Sequence, residues 1–224
     1  MPDFLDLERY NLLGAFGVTL QLALYSAAGA LVWGTVLAAL RVSPVPVMRG
    51  AGAVYVHVVR NTPLTVIIVG TSLGLHQTMG VALGGDTAKE SGFRLAVLGL
   101  AGYTAAFVCE TLRAGINSVP AGEAEAARSL GLSFRQVLVH VVLPQAFRTV
   151  VNPLATVLMS LTKNTTVAAA IGVGEAALLM KEMMENESHA VFAVCSVFAF
   201  GFLCLTLPLG LLLGRVSRKV AVRR

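Results

Sequence analysis

Residues Glu125 to Pro144 read EAARSLGLSFRQVLVHVVLP, a polar stretch between apolar runs long enough to cross a bilayer. It carries turn and cap signals of its own and belongs outside the hydrocarbon. Pro120 and Gly122 precede Glu123-Ala124-Glu125-Ala126-Ala127, strong helix formers whose acids lie at the start, where the helix dipole favours them. Gly131 is expected to stop that helix. Ser133-Phe134-Arg135-Gln136 then has the Ser-x-x-Gln form of a capping box, which starts a second short helix turned relative to the first. Leu143-Pro144 is expected to end the second helix before the next span. An amphipathic helix lying on the bilayer surface would explain the composition but not this two-helix punctuation. A docking element for a partner explains both.

Composition supports a membrane setting. Of 224 residues 56% are hydrophobic and 13% charged, with a mean hydropathy of +0.76, whereas a soluble domain carries about 25% charge. The net charge of +5 comes from short loops and a basic tail beside apolar runs, not from aromatic-interleaved patches, so membrane topology explains it better than nucleic acid does. Cys109, Cys195 and Cys204 lie in apolar segments without CxxC spacing and are expected to be small packing residues. His57, His76, His140 and His189 show no ligand spacing, and no metal site is indicated. The start, MPDFLDLERY, is acidic rather than basic, so the first span is expected to be retained rather than cleaved.

The expected architecture is all-α and integral to the membrane, one permease domain over 1–224 with five spans. A helix crossing ~30 Å of hydrocarbon needs about 20 residues. The spans fall at about 12–40, 52–75, 94–115, 147–173 and 190–214, with a cytoplasmic loop over 116–146. Small residues in the first span, Gly14, Gly17, Ala27, Gly29, Ala30 and Gly34, suggest close helix packing. Arg41-Val-Ser-Pro-Val-Pro breaks the chain after it. The segment from Gly74 to Phe93 and the acidic stretch from Glu175 to Glu187 are expected to be polar connections. Five spans put the termini on opposite sides. With a cytoplasmic tail, eleven cations fall inside (Arg41, Arg49, Arg113, Arg128, Arg135, Arg148, Arg215, Arg218, Lys219, Arg223, Arg224) and four outside (Arg9, Lys89, Arg94, Lys181). The N-terminus is therefore expected outside.

Arg60 and Lys163 lie within otherwise apolar spans, where a cation is costly unless it faces a cavity or a partner. Glu110 is a candidate partner. Either the charges only fix helix packing, or one or both cations meet substrate carboxylates. Pro63 and the neighbouring Asn61, Thr62, Asn164, Thr165 and Thr166 suggest locally opened helices whose freed backbone groups can hold an amino-acid zwitterion. One acid against two cations suits an acidic substrate.

Glu125-Ala126-Ala127, three residues, Gly131, nine residues, Val141, one residue, Leu143-Pro144 resembles the EAA loop of ABC importer permeases, with Val141 where Ile is common. Arg60-Asn61-Thr62-Pro63-Leu64 resembles the RGTPL segment of the polar amino-acid branch, of the histidine, glutamine and glutamate type. Glu110-Thr-Leu-Arg113-Ala-Gly115-Ile116 and Lys163-Asn164-Thr165-Thr166 resemble further signatures of that branch. With Ile171-Gly-Val-Gly-Glu-Ala-Ala-Leu-Leu-Met-Lys181, the text is most similar to glutamate uptake permeases of actinobacteria.

The resemblance implies a type I importer fold in a bacterial cell membrane. It implies a permease pair, identical or homologous, whose EAA loops (Glu125, Ala126, Ala127, Gly131, Leu132) dock as coupling helices on a cytoplasmic dimer of ATP-binding subunits. An extracytoplasmic solute-binding protein would deliver the amino acid, with glutamine or aspartate as alternative substrates to glutamate. Asn61 in place of Gly, Glu123 in place of Gln and Thr166 in place of Leu depart from the common pattern. The chain has no GxxxxGK[ST] loop, since Gly172-Val-Gly-Glu lacks the lysine. ATP and Mg are thus expected on the partner, and this chain is expected to be a transport subunit without a cofactor rather than an enzyme. A secondary transporter or channel would also explain buried charge but would not need the EAA stretch. An intramembrane hydrolase would need a nucleophile with a partner, which the scattered Ser and His residues do not offer.

Overall fold

The computed structural model describes residues 10–80 and 88–220. Asp3, Asp6, Glu8 and Arg9, the Gly84-Gly85-Asp86 turn, and Arg223 and Arg224 lie outside the described residues. Nine α-helices follow in chain order among those described: α1 Leu12–Val42, α2 Pro46–Asn61, α3 Leu64–Thr71, α4 Ala88–Asn117, α5 Ala121–Ser129, α6 Phe134–Val137, α7 Leu143–Asn164, α8 Ala176–Asn186 and α9 Val191–Val220. Four helical stretches are long and apolar enough to cross a bilayer, and a bent pair, Pro46–Asn61 with Leu64–Leu75, makes a fifth.

α4 is the hub. In its most apolar stretch 56% of residues are buried, against 17% in each of the stretches containing α7 and α9, which leave broad apolar faces outward. Apolar surface meeting lipid gains nothing from being covered, so close packing decides where helices touch. Ala30 and Gly34 of α1 are buried on the side that meets α4. A Cβ at Gly34 would lie 2.6 Å from the Val108 side chain and 2.9 Å from the Ala105 carbonyl, so only glycine allows this approach. Leu37, Ala38, Val56, Ala105, Ala106 and Cys109 form one buried cluster at this end, and Leu22, Ala96, Ala168 and Val173 form another nearer the start of α1. Gly17 has open space around it and plays no such part.

Proline explains the breaks. Pro46 opens α2 at its first position, where its missing N–H is no loss. Thr62-Pro63 separates α2 from α3 with a bend of 106°. The carbonyls freed there are taken by side chains of the same helix: Asn61 Nδ2 donates to His57 O at 2.7 Å and Thr62 Oγ1 to Val58 O at 2.8 Å. This is how a broken helix is tolerated at membrane depth.

Three expected boundaries are corrected. Leu143-Pro144 does not end the second short helix. The chain stays helical from Phe134 through a wide π-helical turn at Leu138–Val142 into α7, where Pro144 sits in the first turn. The stretch from Glu175 to Glu187 is not merely an acidic connection. Residues 176–186 form α8, whose Ala176 and Met183 pack with Tyr10, Val194 and Phe198 while Glu182 and Glu185 are exposed. The polar connection before α4 is shorter than read, because Ala88–Phe93 is already helix and Ser91 is buried.

Candidate functional site

The stretch over 121–137 folds as the two-helix element its punctuation requires. Pro120 caps α5, and Leu130 closes it. Gly131 follows with φ +85°, a left-handed conformation that a side chain resists. Its N–H donates to Arg128 O at 2.9 Å and the Leu132 N–H to Ala127 O at 3.3 Å, the paired bonds of a Schellman motif. Ser133 N donates to Gln136 Oε1 at 2.8 Å and Gln136 N to Ser133 Oγ at 3.4 Å, closing the capping box that starts α6. Ala127 and Val137 are buried beneath the element, and Gln145 of α7 donates to the Glu123 carboxylate. Glu125, Ala126 and Gly131 are exposed and Leu132 is half-buried. Leu130 is 82% and Phe134 66% exposed, so two large apolar side chains flank the turn in a polar setting. Nothing in the capping pattern foretold how far they project.

At the same end of α4 lies a charge cluster. Glu110 is approached by Arg41 Nη1 at 2.8 Å, Arg113 Nη1 at 3.5 Å and Arg60 Nη1 at 3.7 Å. The Arg60 guanidinium also sits over the Phe107 ring, 5.5 Å from its centroid. Arg41, Arg60 and Glu110 line a cavity of about 730 Å³ with His57, Asn61 and Phe107. The sequence pairs Arg60 with Glu110, which the structure brings together, but gives no sign that Arg41 and Arg113 join them. Arg41 sits in the last turn of α1, and only tertiary packing brings it to Glu110.

Lys163 does not join this cluster. It is exposed on α7, and it makes no ion pair with a described residue. Beyond it the chain tightens into a 3₁₀ helix, Thr165–Ile171. Thr165 Oγ1 donates to Thr162 O at 2.7 Å and Thr166 Oγ1 to Lys163 O at 2.9 Å, so both hydroxyls are turned onto their own helix. Asn164 is half-buried beside them. The helix is therefore tightened rather than opened at this point.

Two further features escaped sequence reading. At the opposite end of the bundle, the starts of α1 and α4 and one face of α8 enclose a cavity of about 1310 Å³ lined in part by Gln21, Tyr25, Glu90, Arg94 and Glu182. Beside it Glu175 is fully buried as the cap of α8, accepting from Leu178 N at 3.0 Å and from Thr19 Oγ1 at 3.4 Å. Burial pushes its carboxyl above the ordinary range, against the pull of those hydrogen bonds.

Residues 30–222 match the family described as the binding-protein-dependent transport system inner membrane component. The chain is 51% identical over 218 residues to the glutamate transport system permease protein GluC of Corynebacterium efficiens, with 96% of each chain covered. Its identity to the GluC protein of Corynebacterium glutamicum is 50% over the same coverage. A crystal structure of an amino acid ABC transporter with histidines superposes with a TM-score of 0.84 at 25% identity, over 98% of this chain and 99% of that one. The bent, five-span helical bundle is accordingly that of an ABC importer permease, a multi-pass transport component, and the chain belongs to the family of binding-protein-dependent transport system inner membrane components.

Proposed function

We propose that this chain is the membrane subunit through which glutamate crosses in an ATP-driven importer, working with a separate ATPase. The observation that carries the reading is the similarity at 51% and 50% identity to two glutamate permeases, extending over 96% of the chain. The exposed Leu130 and Phe134 on the locally capped 121–137 element support a docking role. Glu125, Ala126, Gly131 and Leu132, over the buried Ala127, present that element to a cleft on the cytoplasmic ATP-binding dimer, which holds ATP and Mg. A second permease subunit, identical or homologous, completes the path.

The charge asymmetry of the loops supports a cytoplasmic C-terminus and an external N-terminus in a bacterial cell membrane. The larger cavity then faces the side from which a solute-binding protein delivers the amino acid. Arg60, Asn61, Thr62, Pro63 and Glu110, at the broken helix, and Lys163, Asn164 and Thr166, at the end of α7, line the substrate route, with Thr165 buried behind them. Lys163 is its most available cation, because no described acid neutralises it.

The test is reconstitution of the full complex in vesicles with its ATPase and binding protein. ATP-dependent accumulation of radiolabelled glutamate is expected. Uptake that persists without the ATPase would remove the importer reading, and transport of glutamine or arginine in place of glutamate would remove the substrate.

A further inference from the structure

We infer that the cavity floored by Arg41, Arg60 and Glu110 is a binding site for an oxyanion, a carboxylate or a phosphate. The first ground is charge. Three guanidinium groups surround one carboxylate, and Glu110 is the only acid lining the cavity, so among the described residues the cluster carries two positive charges in excess. Cations near low-dielectric surroundings are costly without a counter-charge, and no second described acid lines this cavity.

The second ground is geometry. Arg41, with its side chain 13% exposed, lies 2.8 Å from Glu110 and is the fixed member. Arg60 is the loose member: it is the farthest from Glu110, 45% exposed, and rests on the Phe107 ring. It can turn from Glu110 to an incoming anion while Arg41 and Arg113 keep Glu110 paired. A planar guanidinium fork matches a carboxylate or a phosphate with two parallel N–H donors. Asn61 and His57 stand in the same wall.

The third ground is shape. The cavity holds about 730 Å³ and is otherwise lined by apolar side chains, of which Val54 and Val58 stand exposed. Two sources of the anion fit these walls. One is an acidic amino acid leaving toward the coupling end, which rests on the substrate reading above. The other is the headgroup of an anionic phospholipid, its chains lying along Val54 and Val58, which does not.

The experiment uses the purified complete transporter without its binding protein. Equilibrium binding of radiolabelled glutamate is measured in one arm, and retention of phosphatidylglycerol against phosphatidylcholine by native mass spectrometry in the other. Arg60→Gln should weaken at least one of the two anions roughly tenfold, and Arg60→Lys should recover part of it. Glu110→Gln should tighten the same anion, because the internal competitor for Arg60 is gone; a purely structural role would not give that sign. Binding of glutamate alone assigns the site to the substrate route, and retention of the lipid alone assigns it to the bilayer. A transporter that moves no glutamate yet holds phosphatidylglycerol through Arg60 would sink the substrate reading and leave this site standing. Wild-type protein that holds neither anion, or Arg60→Gln that holds both as well as wild type, overturns the proposal. If Glu110→Gln does not purify, the Arg60 pair alone decides.

Discussion

The two-helix element over 121–137 and the arginine cluster around Glu110 are both polar islands in an apolar chain, and they are assembled in opposite ways. In the first, the bonds that shape the turn close within a few residues, Gly131 to Arg128, Leu132 to Ala127, Ser133 to Gln136 and back, and the Gln145–Glu123 bond alone among those named reaches α7. In the second, the charges come from α1, α2 and α4 and meet only because those helices pack at Gly34 and around Val56. A locally closed element can change its surface without unsettling the bundle. A cluster closed by packing ties function to fold, so substitutions in the two regions should separate transport from stability to different degrees.

The sharpest way to break this contrast is Gly131→Asp. Its φ of +85° costs a side chain about 1–2 kcal/mol, but a Cβ there meets only open space, so the strain stays in the turn. Uptake should fall to background because Leu130 and Phe134 lose their relative placement. The Tm of the purified permease should move by only a few degrees. Normal uptake, with the ATPase co-purifying at wild-type yield, would discard the docking role. Loss of inserted protein would show that the element is not separable from the fold.

Lys163→Met tests the other side at a smaller scale. Unlike Arg60, Lys163 has no described counter-ion, so removing its charge while keeping its length should leave stability unchanged. A charged hydrogen bond to substrate is worth about 1.5–3 kcal/mol, which predicts a ten- to hundredfold drop in glutamate uptake. Capture by the binding protein should be unaffected. Unaltered uptake in vesicles would make Lys163 a surface residue of α7 and nothing more.

The same contrast explains what could be read from the chain. The Gly131 turn and the Ser133 capping box were legible because their signals are contiguous. The Pro63 break was legible for the same reason. Span existence followed from hydropathy, but Pro144 misled, since proline both ends helices and begins them and only the wide turn before it decides which. α8 was hidden because Glu182 and Glu185, with Glu175 and Glu187 flanking them, read as an acidic connection, while its buried face, Ala176 and Met183, has meaning only against Val194 and Phe198. Of the charge cluster, Arg60 with Glu110 could be guessed from the cost of buried charge. Arg41 looked like an ordinary headgroup cation at a helix end, and Cys204, expected among packing residues, proves exposed.

Glu175 combines both kinds of construction and gives the smallest effect. Its cap on Leu178 N is local, whereas its burial and its contact with Thr19 depend on α1, where Thr19 Oγ1 also accepts from Ala176 N at 3.1 Å. Burial raises its carboxyl above the ordinary value of 4.5. The folded protein therefore holds this proton at a pH where the unfolded chain has released it. Because the unfolded state then binds fewer protons, stability is highest below the ordinary value and declines as pH rises through the raised one. Glu175→Gln keeps an acceptor for Leu178 N and has no proton to lose. The variant should match the wild type in acid, exceed its Tm by a few degrees at neutral pH, and lack this part of the pH dependence. Thermal unfolding across that range, followed on the purified permease, measures it. A variant less stable than wild type at neutral pH would mean that the ionised carboxylate is held by the Leu178 N–H and the Thr19 hydroxyl more strongly than burial opposes it. The local cap would then outweigh the packing around it.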